Sequence, residues 1–192
     1  MALGPQGIRY IKDVTDAPIM LDLKLHDIPE TVERAVMCAG VLGIEFLTLH
    51  VQQKETLRRA VKAAEKSSVQ LLGVTVLTSM NEQDMDDLRY STTDPTLRAM
   101  YLARMAWKEG VTGFVCSPQD VLHIRSELTE AVLVVPGIRP AGAEKGDQKR
   151  TGTPAQAVKD GASYIVVGRP IRDAKDPVAA AQAINTEVAT TC

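Results

Sequence analysis

The chain has 192 residues, 45% of them hydrophobic and 24% charged, with a formal net charge of -2. This length and composition predict a single domain, over residues 1–192, with a sizeable core, and no apolar run is long enough to cross a bilayer. The cationic residues are scattered and only 4% of the residues are aromatic, which argues against nucleic acid as a partner.

Helical and β-like patterns alternate along the whole chain. An amphipathic helix start is predicted at "MALGPQGIRYIKD", residues 1–13. "DIPET" at 27–31 is a helix entry because proline suits the first turn, and the "DP" pairs at 94–95 and 176–177 open two more helices. Six apolar runs are predicted as strands, at 19–25, 45–51, 71–78, 113–117, 132–138 and 164–169.

This alternation predicts a parallel sheet covered by helices. No GxGxxG motif follows a strand, which argues against a dinucleotide-binding fold. Polar residues instead follow the strand ends, where a (β/α)8 TIM barrel keeps its active site. The six predicted strands are two short of a closed barrel. The polar residues at these strand ends are Asp27, Thr78, Ser79, Ser117, Arg139 and Arg169.

The cysteines and histidines show no metal-binding pattern. Cys38, Cys116 and Cys192 are widely spaced and form no CxxC pair, which favours a reducing cytoplasm over a disulfide framework or a zinc site. Cys116 lies inside an apolar strand and is interpreted as a small buried hydrophobic residue. The three histidines lack metal-ligand spacing, but His26 and His50 lie near strand ends, where each could line a site.

The stretch "LDLKLHDIPET" (21–31) places three charged residues where an apolar strand has just begun. Alternation along a strand puts Asp22 and Lys24 on one face, which in a barrel would point into the lumen, and the leucines on the other. A structural ion pair or a solvated strand edge would also explain this pair, and Asp27 could be a helix N-terminal acid. If the three residues are catalytic, an ammonium among carboxylates stays charged and can protonate a forming carbanion without metal or organic cofactor.

Glycine and arginine recur together at the ends of the last two predicted strands, in "PGIRP" and "VVGRPI". Loops after the last two strands of a TIM barrel frequently form a phosphate site from backbone N–H groups and arginines. The polar, glycine-bearing stretch 139–153 has the composition of a lid over a ligand, or of a plain surface loop. We therefore predict phosphate binding at Gly137, Arg139, Gly168 and Arg169.

Four motifs together resemble the bacterial-type orotidine 5'-monophosphate decarboxylases. They are "LDLKLHDIPETV", "VLTS", "PGIRP…GDQKRTGTP" and "IVVGRPI", and the match runs in order from about residue 4 to residue 185. The resemblance implies a (β/α)8 barrel and a homodimer. It also implies that the chain releases CO2 from orotidine monophosphate to give UMP, in the last step of de novo pyrimidine synthesis. No cofactor is expected.

The resemblance also implies a role for each matching residue. Lys24 would donate a proton to C6 of the pyrimidine, and Asp22 would be pressed against the leaving carboxylate. Asp27 would reach across the dimer interface into the partner's site, joined by Ile28 and Thr31. The other substrate-binding residues implied by the family are Thr78, Ser79, Pro136, Arg139, Gln148, Gly168 and Arg169.

At its N-terminal end the sequence departs from the family pattern. Family members begin with a strand carrying an aspartate, then a helix, then a strand carrying a lysine, and these have no counterpart before "ALGPQGIRYIKD". We therefore expect a barrel truncated to about six strands, without its first two. Two interpretations follow. In the one we favour, the start is assigned too late or the sequence is a fragment, and the natural protein is complete and active. In the other, the 192-residue chain exists as such and is poorly folded and inactive.

Two other functions stay open from the sequence. The 3-keto-gulonate-phosphate decarboxylases share the DxKxxD strand but use magnesium, and both "HDIPET" and the Gln148-bearing lid argue against them. The second alternative is an inactive barrel that only binds phosphate ligands or serves as a dimer partner.

Overall fold

The computed structural model describes residues 4–140 and 149–191, in which strands and helices alternate. No helix in these two ranges is both long enough and apolar enough to cross a membrane. The elements, in chain order, are α1 (Gly4–Val14), β1 (Met20–Leu25), α2 (Pro29–Val41), β2 (Phe46–His50), α3 (Lys54–Ala64), β3 (Gln70–Val74), α4 (Glu82–Asp87), α5 (Pro95–Lys108), β4 (Gly113–Val115), α6 (Val121–Glu127), β5 (Val132–Val135), α7 (Pro154–Lys159), β6 (Tyr164–Ile165), α8 (Arg169–Arg172) and α9 (Pro177–Ala189).

The predicted helix starts are confirmed. The helices α2, α5 and α9 each begin at the proline of the predicted signal. The aspartate before the proline caps two of them, because Asp94 accepts a hydrogen bond from the Thr96 N–H at 2.7 Å and Asp176 accepts one from the Ala179 N–H at 2.9 Å. Proline at the first helical position loses no hydrogen bond, since that N–H would be unpaired in any case.

All six predicted strands are present, but five of them end earlier than their apolar runs. The run at 71–78 forms a strand only as far as Val74, and the chain turns where the Met80 N–H donates to the Leu77 carbonyl at 3.0 Å. The run at 164–169 forms a strand of two residues before α8 begins. Apolar composition marks burial, and it does not by itself mark where strand pairing stops.

The chain divides into two compact units, and the division falls within β3. The first unit comprises Met1–Gly73 with Ala106–Thr112 and carries the strands in the order β1-β2-β3, of which β1 and β2 pair in parallel. Helix α2 packs against α3. Its core contains the fully buried residues Val36, Ile44, Leu47, Leu49 and Leu57.

The second unit comprises Val74–Met105 with Gly113–Cys192 and carries the order β4-β5-β6, all parallel. Helices α7 and α8 both pack against α9. Phe114, Leu133 and Val135 form its strand core, which confirms the predicted parallel sheet with buried, continuously apolar strands. Cys116 is buried as predicted, and burial raises the pKa of its thiol far above the usual range. The single-domain organisation stays a prediction.

Candidate active site

The Lys24 ammonium and the Asp22 carboxylate form an ion pair in the first unit. Lys24 Nζ donates to Asp22 Oδ2 at 2.5 Å. Thr48, opposite them on β2, donates its hydroxyl proton to Asp22 Oδ1 at 2.8 Å and accepts the backbone N–H of Lys24 at 2.8 Å. We refer to Asp22, Lys24 and Thr48 as the lysine cluster. The cluster holds the lysine by both its backbone and its side chain.

The backbone of β1 is irregular at Lys24. The strand pairs Leu21 with Leu47 and then Leu25 with Leu49, so four steps on β1 match two on β2. Lys24 itself has φ +49°, a left-handed conformation that residues other than glycine rarely adopt. The predicted face alternation is therefore interrupted. Leu23, which alternation places on the face opposite Asp22 and Lys24, lies within this irregular stretch and is 36% exposed.

The ion pair is partly open to solvent. The side chain of Lys24 is 38% exposed and that of Asp22 is 44% exposed. Pairs with this exposure contribute only about 0–1 kcal/mol to stability, since water screens them. The pair therefore contributes little to folding stability. Its exposure leaves both charged groups accessible to a ligand.

Two histidines lie beside the lysine cluster. The rings of His26 and His50 have centroids 5.2 Å apart and planes inclined at 48°. Burial lowers the pKa of the half-buried His50, and the neighbouring His26 and Lys24 lower it further, while Asp22 opposes them. With Asp27 and Ile28 the two histidines line a pocket of about 460 Å3. Whether this pocket is a functional site, as the sequence suggested for these histidines, stays a prediction.

Asp27 lies apart from the lysine cluster within this chain. Its carboxylate accepts the backbone N–H of Ile28 at 2.6 Å. Across the ranges 4–140 and 149–191, no ion pair joins Asp27 to Lys24. Within one chain Lys24 therefore pairs with Asp22, while Asp27 lies beyond the strand end, in the turn before α2, and its role across a dimer interface stays a prediction. Asp27, Ile28 and Thr31 are all exposed there.

In the second unit, the loops that follow β3 and β5 meet. The Thr78 carbonyl accepts the backbone N–H groups of Lys149 and Arg150, both at 3.1 Å. Gly137, which follows Pro136 after β5, has φ +79°, and a Cβ there would lie 2.9 Å from the Arg150 carbonyl oxygen. Only glycine fits this position, because both the backbone angle and the close approach exclude a side chain.

The predicted phosphate-binding residues occupy two loops of the second unit. Arg139 Nη1 donates to the Ile138 carbonyl at 2.8 Å, and its backbone N–H donates to Gly152 at 2.9 Å. Gly168 immediately precedes α8, and no atom lies within 4 Å of where its Cβ would be. Arg169 is the first residue of that helix. Gln148 lies outside the described residues, as does most of the predicted lid.

Among the residues that the structure describes, no group of three or more histidine, cysteine, aspartate and glutamate side chains is arranged to hold a metal ion.

Comparison with known proteins places these features in a family. The sequence profile of the family described as "Orotidine 5'-phosphate decarboxylase / HUMPS family" matches residues 1–184. The chain belongs to this family. The orotidine 5'-phosphate decarboxylase of Rhodopseudomonas palustris (strain ATCC BAA-98 / CGA009) is 51% identical over 172 residues, which are 89% of this chain and 72% of that protein. The enzyme of the same name from Anaeromyxobacter dehalogenans (strain 2CP-1 / ATCC BAA-258) is 46% identical over 184 residues, which are 95% of this chain and 80% of that protein.

Solved structures give the same family assignment. The crystal structure of orotidine 5'-phosphate decarboxylase from Lactobacillus acidophilus is similar with a TM-score of 0.82 and 34% identity. The similarity covers 96% of this chain and 81% of that one. The predicted fold class, a helix-covered parallel sheet of the TIM-barrel type with six strands in this chain, is thereby confirmed, as is the resemblance that the four motifs indicated.

Two groups of polar residues in this decarboxylase-family chain were missed by sequence reasoning. Thr48 lies between two buried leucines, and its only signal is a hydroxyl at an inward position of an apolar strand. The second group is an ion pair between Arg150 and Asp120, whose side chains are 5% and 0% exposed. Ser117 donates to Asp120 through its N–H at 3.0 Å and its hydroxyl at 2.8 Å. In the sequence, an aspartate three residues after Ser117 indicates a local turn. It does not indicate that Arg150 is the ion-pair partner of Asp120.

Proposed function

We propose that this chain decarboxylates orotidine 5'-monophosphate to UMP, using its own side chains and no metal or organic cofactor. Family membership supports the reaction, and relatives up to 51% identical carry the name orotidine 5'-phosphate decarboxylase. The observation that carries the chemistry is the Lys24–Asp22 pair, held at 2.5 Å and partly exposed at the end of β1. The cytoplasm is the proposed compartment, which the free thiols of Cys38 and Cys116 support.

The proposed chemical step uses Lys24 as the proton donor. The bond between C6 and the carboxylate breaks, CO2 leaves, and the electron pair stays on C6. Lys24 Nζ then gives a proton to C6, forming the C6–H bond of UMP, and the neutral amine regains its proton from water. Because Asp22 holds the ammonium, the donor is already in place when the charge develops.

Asp22 has a second proposed role toward the substrate. A carboxylate placed against the carboxylate of the substrate repels it in the ground state, and this repulsion disappears as neutral CO2 forms. Only interactions that favour the transition state over the ground state accelerate the reaction. The hydrogen bond from Thr48 to Asp22 Oδ1, at 2.8 Å, prevents the carboxylate from turning away.

Substrate binding is assigned to the second unit. The Gly168 backbone and the Arg169 and Arg139 guanidinium groups bind the phosphate, and Gln148 bridges the lid to it. The open space around Gly168 supports this, since a phosphate needs close approach to backbone N–H groups. The remaining residues, proposed to contact the nucleoside, are Thr78, Ser79 and Pro136.

We also propose a homodimer in which Asp27 completes the partner's site, with Ile28 and Thr31 beside it. Within the described residues of one chain no hydrogen bond or ion pair joins Asp27 to Lys24, and Ile28 is 64% exposed, as expected for residues that act across an interface. Mixing Asp27→Ala with Lys24→Ala subunits tests this. Each heterodimer should regain one competent site of two, and a mixture that stays inactive would contradict the shared site.

The assay for the proposed function follows UMP formation and CO2 release from orotidine monophosphate, with and without EDTA. We expect UMP and CO2 in equal amounts, and the same rate of formation with and without EDTA. Activity that disappears with EDTA would instead indicate the magnesium-dependent decarboxylase reaction, and binding of UMP without turnover would indicate an inactive barrel. No observation favours either alternative.

A further inference from the structure

The Thr48 hydroxyl contacts both members of the Lys24–Asp22 pair. Thr48 lies in the middle of β2, is fully buried, and has the fully buried Leu47 and Leu49 on either side. Its oxygen is 2.8 Å from the Lys24 backbone nitrogen and 2.8 Å from Asp22 Oδ1. A buried hydroxyl between apolar neighbours costs free energy unless it is hydrogen-bonded, and here both of its bonds go to the lysine cluster.

Donor and acceptor chemistry fixes the direction of each hydrogen bond. The Lys24 backbone N–H can only donate, so the Thr48 oxygen accepts there. The single hydroxyl proton then goes to the Asp22 carboxylate, which only accepts. The second Asp22 oxygen accepts from Lys24 Nζ, which closes a ring of three hydrogen bonds. Both oxygens of Asp22 are therefore held.

The same hydroxyl supports the irregular backbone of β1. Between the Leu21–Leu47 and Leu25–Leu49 pairs the strand carries two extra residues, so the regular ladder is interrupted. The Thr48 hydroxyl takes the place of a backbone carbonyl as the acceptor for the Lys24 N–H. A left-handed φ of +49° at a lysine persists only where its surroundings determine it, and this bond is one such constraint.

We infer that Thr48 is a positioning residue for the proton transfer. Its hydroxyl fixes the left-handed turn at Lys24 and the orientation of the Asp22 carboxylate, and through them the place of the ammonium. The inference rests on the proposed function for its effect on catalysis. Its structural part, that Thr48 holds Lys24, stands on the hydrogen bonds alone.

The test compares Thr48→Val with Thr48→Ser. Valine keeps the shape and the β-branch but removes the hydroxyl, whereas serine keeps the hydroxyl. The matched control is Thr75→Val, because Thr75 is also buried and its hydroxyl donates only to the Val115 carbonyl, at 3.1 Å. Two quantities are measured: the kcat and KM for orotidine monophosphate, and the hydrogen-exchange rate of the Lys24 backbone amide.

For Thr48→Val we expect kcat to fall about 10- to 100-fold with little change in KM, as for a donor displaced from its productive position. The Lys24 amide should exchange about 10-fold faster, since its acceptor is gone. Thr48→Ser should restore both values, and Thr75→Val should change neither. If Thr48→Val does not fold, Thr48→Ala and Thr48→Ser replace it, since both lose the methyl group and only alanine loses the hydroxyl.

The inference is overturned by wild-type kcat in Thr48→Val, by unchanged exchange at Lys24, or by an equal loss of kcat in Thr75→Val. Failure of the proposed function has a different signature. If the wild-type chain forms no UMP, the proposed reaction is wrong, and the exchange rate at Lys24 still decides whether Thr48 holds the lysine.

Discussion

Two ion pairs in this chain are built from similar parts and stand in opposite environments. In the first unit Lys24 pairs with Asp22, and a threonine hydroxyl donates to the carboxylate. In the second unit Arg150 pairs with Asp120, and a serine hydroxyl donates to that carboxylate. The first pair is more than a third exposed on both sides, whereas the second is almost completely buried.

The difference in burial predicts different roles for the two pairs. Arg150 Nη2 also donates a hydrogen bond to Thr96 Oγ1 at 2.9 Å. Its backbone N–H donates to the Thr78 carbonyl and so joins the loop after β5 to the loop after β3. Removal of one partner of a buried pair leaves an uncompensated charge, which is costly. The exposed pair has little effect on folding and leaves a proton donor within reach of a ligand. Under the proposed mechanism, similar groups serve folding in the second unit and chemistry in the first.

The largest expected effect is on stability, and it compares the two aspartates directly. Asp120→Ala should lower the free energy of unfolding by about 3–5 kcal/mol, because Arg150 is left charged and buried. Asp22→Ala is the matched variant and should lower it by about 1 kcal/mol or less, because water solvates the freed Lys24. Urea denaturation followed by circular dichroism measures both. Equal losses for the two variants would contradict the contrast between the pairs.

A smaller effect is expected on the pH dependence of the unfolding free energy, and it tests the environment of His50 beside the lysine cluster. His50 has a pKa below its ordinary value of 6.5, so the unfolded chain binds more protons than the folded chain just below that pH. The contribution of His50 to stability is therefore complete above pH 6.5 and is lost as the pH falls through the lowered pKa. His50→Gln should flatten the dependence of the unfolding free energy on pH in this range.

His123→Gln provides the control for that measurement, since His123 is exposed on α6 in the other unit. The unfolding free energy of the His123→Gln variant should depend on pH in the same way as that of the wild type. A wild-type slope that persists in His50→Gln would show that another group is responsible for the pH dependence below 6.5.

Local patterns predicted much of the fold. The prolines at 29, 95 and 177 marked the helix starts because a fixed φ and a missing N–H suit the first turn. Strand ends were less predictable, because apolar side chains are also buried in turns such as the one after Val74. Pairing, and not composition, decides where a strand stops.

The candidate site was predictable only within one segment. Asp22 and Lys24 are close in sequence, and strand periodicity predicted that they share a face, although the backbone at Lys24 departs from regular alternation. The contact of Thr48 with both depends on the register between β1 and β2, which includes two extra residues that no local pattern indicates. The Arg150–Asp120 pair joins residues 30 apart, and only the folded structure brings them together.

The proton-donor role of Lys24 is the central claim, and Lys24→Ala tests it most directly. We expect this variant to release no measurable CO2 from orotidine monophosphate, because no other group in the lysine cluster carries a proton of comparable acidity and reach. UMP binding should stay within about 10-fold of the wild type, since the residues proposed to bind the phosphate are unchanged. Loss of turnover with retained UMP binding is the predicted result. Turnover close to that of the wild type would contradict the account.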